Sequence, residues 1–329
     1  MKILYAIQGT GNGHISRARD IIPLLQKKGQ LDILISGTQA DINLNYDITF
    51  KLKGLSFVFG KNGGIDIFKT LRSINIFSII KEIRNLPVHE YDIIISDFEP
   101  ISTWACKIKG KKCIGLSHQE AVKNINSPKP VVKDPLAQFI MKWYAPSSIA
   151  YGFHFQKYDT NIYYPVIRSE IRNSIVETLN HYTVYLPSYG DDLLIKFFSK
   201  IPHVKWHIFS KHTDKNYNVN NISIRKINNE EFIESMRTCT GMFCGAGFET
   251  PAEALYLQKK LMVIPMKGQY EQHCNAAALE QMGVPVLPEL HEEFILKVKN
   301  WVDQNNTISH EEWLDETSAI LDHVIEHCK

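Results

Sequence analysis

The chain has 329 residues, of which 44% are hydrophobic and 22% charged, a composition ordinary for a soluble globular protein and a length that suggests two domains. A formal net charge of +2, with no basic tract interleaved with stacking aromatics, argues against a nucleic-acid partner. Six cysteines, at 106, 113, 239, 244, 274 and 328, lack both close metal-ligand pairing and the density of a small secreted scaffold, so they read as reduced, packed thiols of a cytoplasmic protein.

Met1-Lys2 leads directly into Ile3-Leu4-Tyr5-Ala6-Ile7, which is too short for a secretory core and reads as a strand. No run approaches the roughly 20 apolar residues that span a bilayer. Peripheral contact with the inner face of a membrane stays open. Strand-like runs follow at 31–36, 55–59, 91–96, 112–116 and 149–152, with helical patterns between them, notably at 15–28 and 70–84. Strands without strict alternation, separated by helix-length segments, imply βαβ crossovers and a parallel sheet covered on both faces. The run through Ile93, Ile94 and Ile95 breaks at Ser96-Asp97, which puts Asp97 at the carboxyl end of a strand, the edge where open α/β sheets take their ligands.

An N-terminal domain is therefore expected over 1–158, with a linker over 159–180 where clean periodicity fails. A second α/β unit, 181–310, carries strands at 182–186, 204–209, 222–225, 241–244 and 261–264. Its helices are expected at 192–199, 230–237, 250–258, 271–282 and 291–304. The final segment, 311–329, contains a helical pattern over 311–327 whose apolar side includes Trp313, Ile320, Leu321 and Val324. That helix either caps the second domain or crosses back to the first.

Two glycine-centred segments carry the chemistry. In Gln8-Gly9-Thr10-Gly11-Asn12-Gly13-His14, the glycines accept close ligand approach, and a helix from about Ile15 directs free amides toward negative charge. A tight structural turn is the alternative reading of the glycines. His14 at the helix mouth can exchange a proton near neutral pH, and Asp97 on the same sheet edge can orient it. Glu99 competes for that orienting role, although Pro100 beside it fits a plain strand exit. A packed or phosphate-contacting histidine and a helix-capping aspartate are the alternatives.

In the second segment, Gly245-Ala246-Gly247 puts backbone amides near a diphosphate, while Glu249-Thr250-Pro251 opens a helix. Thr250 either contacts phosphate or caps the helix. Glu253 lies near the same helix mouth, where its carboxylate can accept from two ribose hydroxyls or simply favour the helix dipole. Pro265-Met266-Lys267-Gly268-Gln269-Tyr270 then leads to Glu271 and Gln272, a suitable pair for reading sugar hydroxyls, with Asn275 one turn on.

The combined pattern resembles the GT-B nucleotide-sugar glycosyltransferases, especially the branch containing the bacterial peptidoglycan-precursor N-acetylglucosaminyltransferase and the UDP-glucosyl and glucuronosyl transferases. The resemblance rests on Gly9 to His14 and on Gly245 to Leu255, extended by Pro265, Glu271, Gln272, Asn275 and Ala276. It implies an α/β fold of GT-B architecture, with two Rossmann-like parallel-sheet domains facing across a cleft. Carried over by position, His14 is the base, Asp97 its partner and Gly11, Asn12 and Gly13 the acceptor-side loop. On the donor side, Glu253 is the ribose ligand and Glu271 with Gln272 the sugar ligands. Ser188, Tyr189 and Gly190 resemble the loop that approaches donor phosphates, and backbone near Ile227 the place that reads a uracil base. Gly245 stands where many relatives have histidine, and Phe248-Glu249 replaces a common Trp-Asn.

The implied reaction is direct, inverting displacement on a UDP-linked sugar, with no obligatory metal and a small-molecule, saccharide or lipid-linked acceptor. A nucleotide-sugar epimerase of the same fold and a non-catalytic binding protein are the competing readings. A nicotinamide dehydrogenase fits less well, because its G-x-G-x-x-G fingerprint is missing. Residues 67–84, with Ile67, Phe68, Phe77 and Ile80 beside Lys69, Arg72, Lys81 and Arg84, form an amphipathic surface suited to an anionic membrane or to packing. Phe139, Trp143 and Tyr144 either line an acceptor cavity or pack.

Overall fold

The computed structural model describes residues 1–10, 12–37, 44–54, 75–304, 308 and 312–326. Gly11, the expected strand at 55–59 and residues 67–74 of the amphipathic stretch lie outside the described residues.

Two sheets organise the chain. The first is parallel throughout, in the order β3-β2-β1-β4-β5-β6-β7, built from β1 (Lys2–Gln8), β2 (Gln30–Ser36), β3 (Phe50–Leu52), β4 (Ile93–Asp97), β5 (Ile114–Ser117), β6 (Ile149–Phe153) and β7 (Ile162–Tyr163). The second runs β10-β11-β9-β8-β12-β13, from β8 (Tyr182–Tyr185), β9 (Trp206–Ser210), β10 (Tyr217–Val219), β11 (Ile222–Lys226), β12 (Gly241–Gly245) and β13 (Lys260–Ile264). In it only β10, at the edge, is antiparallel. The interior strands β1 and β12 are covered on both faces, which is why their sequences are continuous apolar runs rather than alternating ones.

Helix α1 (Asn12–Gln26) begins three residues earlier than the pattern suggests. The Gly9 amide bonds Ser36 O at 2.7 Å, so the chain turns off β1 at once and winds straight into the helix. Asn12 and Gly13 therefore belong to the first helical turn rather than to a loop. Gly9 itself is required by close approach, since a Cβ there would lie 2.9 Å from Ile35 Cγ2 and 3.0 Å from Ser36 O. Ile15, Ala18, Ile21, Ile22 and Leu25 recur at helical spacing and are buried against the sheet.

The remaining helices of the first domain are α2 (Ile76–Asn85), α3 (Pro100–Lys109), α4 (His118–Lys123) and α5 (Pro135–Tyr144). The stretch expected as a bare linker contains β7, which joins the first sheet, and the one-turn α6 (Ser169–Arg172). The second domain carries α7 (Asp191–Phe198), α8 (Asn229–Thr238), α9 (Glu249–Tyr256), α10 (Tyr270–Gln281) and α11 (Ile295–Asp303). The helix expected over 291–304 is split, a short 3-10 turn at Glu292–Phe294 preceding α11.

The C-terminal helix is shorter than its pattern. Residues 312–316 are non-helical, and α12 spans Thr317–Glu326. It packs on the first domain: Lys28, just past α1, pairs with Asp322, and His323 meets the rings of Tyr151 and Tyr163. Among the described residues, no helix is long and apolar enough to cross a membrane.

Candidate active site

Parallel strands bring their carboxyl ends to one edge of each sheet, and the two edges face each other. On the first, β1 delivers α1, β4 delivers Asp97 and β5 delivers α4. On the second, β8, β12 and β13 deliver α7, α9 and α10.

Asp97 is fully buried at the last position of β4. One oxygen, Oδ1, lies 2.8 Å from His14 Nδ1. Arg17, one helical turn after His14, donates to the same carboxylate through Nη2, at 2.7 Å and 2.9 Å, and through Nε at 3.1 Å. Burial alone would push the Asp97 carboxyl up, but Arg17, with His14, outweighs it and holds the group below the usual carboxylate range. An ionised Asp97 fixes the His14 tautomer: Nδ1 carries the proton, leaving Nε2 as the acceptor that faces the cleft. Gln119 Nε2 lies 3.4 Å from that atom and also donates to Glu271 Oε2 at 3.0 Å.

Glu99 does not orient His14. It caps α3, accepting from Ile101 N at 2.7 Å and Ser102 N at 2.6 Å. Between the two carboxylates, Phe98 adopts φ 56°, a conformation uncommon outside glycine, which turns Asp97 toward α1 and Glu99 toward α3.

The opposite edge is built from backbone. Gly190 and Gly247 have open faces, with nothing within 4 Å of a Cβ placed on either, and Gly245 meets nothing nearer than Gln272 Oε1 at 3.7 Å. Helices α7, α9 and α10 start at Gly190, Phe248 and Gln269 without a side-chain cap. By contrast, Asn75, Glu99, Ser117, Asp134 and Asn228 cap α2, α3, α4, α5 and α8. The one-turn α6, and α11, which continues a 3-10 turn, are also uncapped. Thr250 is not a cap, because α9 has already begun at Glu249.

Other predicted donor residues are placed as follows. Gln272 Oε1 accepts from Met266 N at 2.8 Å, pinning the loop after β13. Asn275 is buried, donates to Ala246 O at 3.1 Å and presents Oδ1 to His118 Nε2 at 2.7 Å. Both oxygens of Glu253 are held by Arg168 of the interdomain passage, through Nε and, at 2.8 Å, through Nη2. Ser188 lies in the loop before α7, and Ile227 is exposed just past β11. The Tyr189 hydroxyl accepts from Leu290 N at 3.3 Å, so its ring is anchored within its own domain.

The sequence reading passed over Arg17, His118, Gln119 and Arg168. His118 opens α4 with Nδ1 2.8 Å from Phe153 O, and its ring stacks on Phe248 with centroids 3.8 Å apart. Burial lowers its basicity below the usual histidine range. Arg17 reaches across the cleft through Nη1 to Glu249 Oε1. Phe248 and Glu249, two of the residues that depart from the common donor pattern, thus both touch the first domain, as Asn275 and Glu271 do.

The model of the family described as glycosyl transferase family 1 matches residues 1–302. The chain belongs to that family. Its organisation agrees with solved GT-B structures at low identity. MurG of Acinetobacter baumannii is 14% identical with a TM-score of 0.59, covering 99% of this chain and 98% of that one. A UDP-glucosyltransferase from Polygonum tinctorium is 11% identical with a TM-score of 0.61, covering 99% and 93%. Arabidopsis thaliana UGT89C1, solved with UDP, is 11% identical with a TM-score of 0.56, covering 99% and 94%. No curated protein matches the chain. The architecture is GT-B, and the family's activity, glycosyl transfer from a nucleotide-sugar donor, replaces the dehydrogenase, epimerase and binding-only readings.

Proposed function

We propose that the protein transfers a sugar from a UDP-linked donor to an acceptor hydroxyl in a single inverting displacement. The observation that carries this reading is His14, with Nδ1 on an ionised Asp97 and Nε2 beside Gln119, which also reaches Glu271 of the second domain. The acceptor hydroxyl gives its proton to His14 Nε2 as its oxygen attacks the anomeric carbon. The bond from that carbon to the diphosphate breaks on the opposite face, which inverts the centre. The departing UDP carries its charge into the uncapped N-termini of α7 and α9, so the scheme requires no metal.

Glu271 and Gln272 face the sugar in this scheme, and backbone near Ile227 reads the base. Glu253, whose carboxylate has about four acceptor positions, holds Arg168 with some of them and offers the others to ribose hydroxyls. The acceptor is an apolar or lipid-linked hydroxyl. This rests on Phe139 and Trp143 of α5 and Ile76, Phe77 and Ile80 of α2, which are exposed, with Lys107 4.2 Å from the Trp143 ring centroid. Tyr144 is buried instead, stacked on Phe98 and bonded to Gln8 Nε2 at 2.8 Å. The protein then works from the cytoplasmic side, in peripheral contact with the membrane.

The test is to incubate purified protein with UDP-sugars and an acceptor panel, with and without anionic phospholipid vesicles. Released nucleotide, product mass and anomeric configuration are measured. Product with inverted configuration is expected. A product that retains the donor's configuration rules out the single displacement.

A further inference from the structure

Glu249 is the first residue of α9, the helix that starts where the donor's diphosphate is proposed to bind, yet its side chain points across the cleft. Gly13 makes room for it: a Cβ at Gly13 would lie 3.0 Å from Glu249 Cγ. The carboxylate meets Arg17 Nη1, whereas Nε and Nη2 of the same guanidinium go to Asp97. Arg17 is therefore fixed by the first domain, and Nη1 is the corner that can change partner without moving the rest.

We propose that Glu249 is a stand-in for the donor's phosphate: as the diphosphate reaches the Gly245–Gly247 turn, Glu249 takes up one proton and passes Arg17 Nη1 to a phosphate oxygen. The proposal rests on the donor reading above. The charged groups around Glu249 are Arg17 and His14 from α1, Asp97 from β4, Glu253 from its own helix and Arg168 from the interdomain passage. Apart from His14, two arginines face three carboxylates, Glu249 itself included. A diphosphate added to that set meets excess negative charge, and one proton on Glu249 removes part of it. The proton comes from solvent and ends on a carboxylate oxygen, and no other bond changes.

Supply of that proton is easy near neutrality, because burial pushes Glu249 up to about 7, with Glu253 and Asp97 adding to the effect and Arg17 opposing it. The common asparagine at this position carries no charge to neutralise. A glutamate there links donor affinity to pH.

UDP is the probe. Its binding to the full chain is measured by titration calorimetry at about pH 8 in buffers of different ionisation heat, and its affinity is followed from about pH 7 to about pH 8.5. Wild type should take up protons on binding and lose affinity several-fold as pH rises. Glu249→Gln should show neither, and should bind UDP more tightly than wild type at the upper pH; Glu249→Asn repeats the test should the first variant fail to fold. Zero proton uptake by wild type, or unchanged uptake in the variants, overturns the proposal. If UDP binds neither wild type nor variant, the donor reading falls and the stand-in falls with it.

Discussion

The two edges that face each other are made differently. The N-terminal edge is a network of side chains: His14, Asp97 and Arg17 are locked together, and Glu99 and Ser117 finish the neighbouring helices. The C-terminal edge leaves three helix N-termini without a side-chain cap and its glycine faces open, although the Ala246 amide is held by Ile264 O. A proton must be moved at one defined atom, so the first edge needs a fixed tautomer and a fixed ring. A diphosphate spreads its charge over many oxygens, so the second edge gains more from several uncapped helix ends than from any single side chain. One edge does chemistry and the other holds charge.

That division is open to direct attack. His14→Ala should lower transfer by about 10²–10⁴-fold while UDP affinity stays within a few-fold, as read by turnover and calorimetry. An equal loss of both would mean that the edges do not divide the work.

The contact between the edges gives the next effect. Glu249 is raised from 4.5 to about 7, so the stability it contributes is complete below its unfolded value and is lost as pH rises through about 7. Between those limits wild type should lose about 3 kcal/mol relative to Glu249→Gln, measured by urea unfolding at each pH. Parallel pH profiles would show that the carboxylate is not strained by the interface.

Gly247→Val should give the smallest effect and the cleanest one. Its side chain enters open space, so the unfolding midpoint should hold while UDP affinity falls on the order of tenfold. Unchanged affinity would mean that the bare edge is not where the diphosphate lies.

Much of this arrangement is legible in the sequence because parallel order turns position along the chain into position in space. Ser96-Asp97 closing an apolar run is enough to send Asp97 to the same edge as His14. Arg17 carries a weaker signal, a charged residue three places after His14 on a stripe otherwise made of Ile15, Ala18 and Ile21. Arginine is usually solvated, and only the buried Asp97 makes that position tolerable. His118 follows β5 just as the His14 segment follows β1, but without glycines nothing marks it. The cross-cleft partners Glu249, Asn275 and Phe248 cannot be read from either half alone, because they depend on how the halves meet. The early start of α1 and the late start of α12 were missed because helix ends depend on turns and caps more than on periodicity.

The chain passes between the domains twice, and the two passages lie side by side. Arg172, in the outgoing segment, pairs with Asp315 in the returning one and with Asp20 of α1, and Tyr164 stacks on Trp313 with centroids 5.9 Å apart. A lone connecting strand would let one half swivel freely against the other. Two segments clasped along their length restrict how the halves can turn against each other, like the spine of a book, and so keep Arg17 in register with Glu249 and His118 with Asn275.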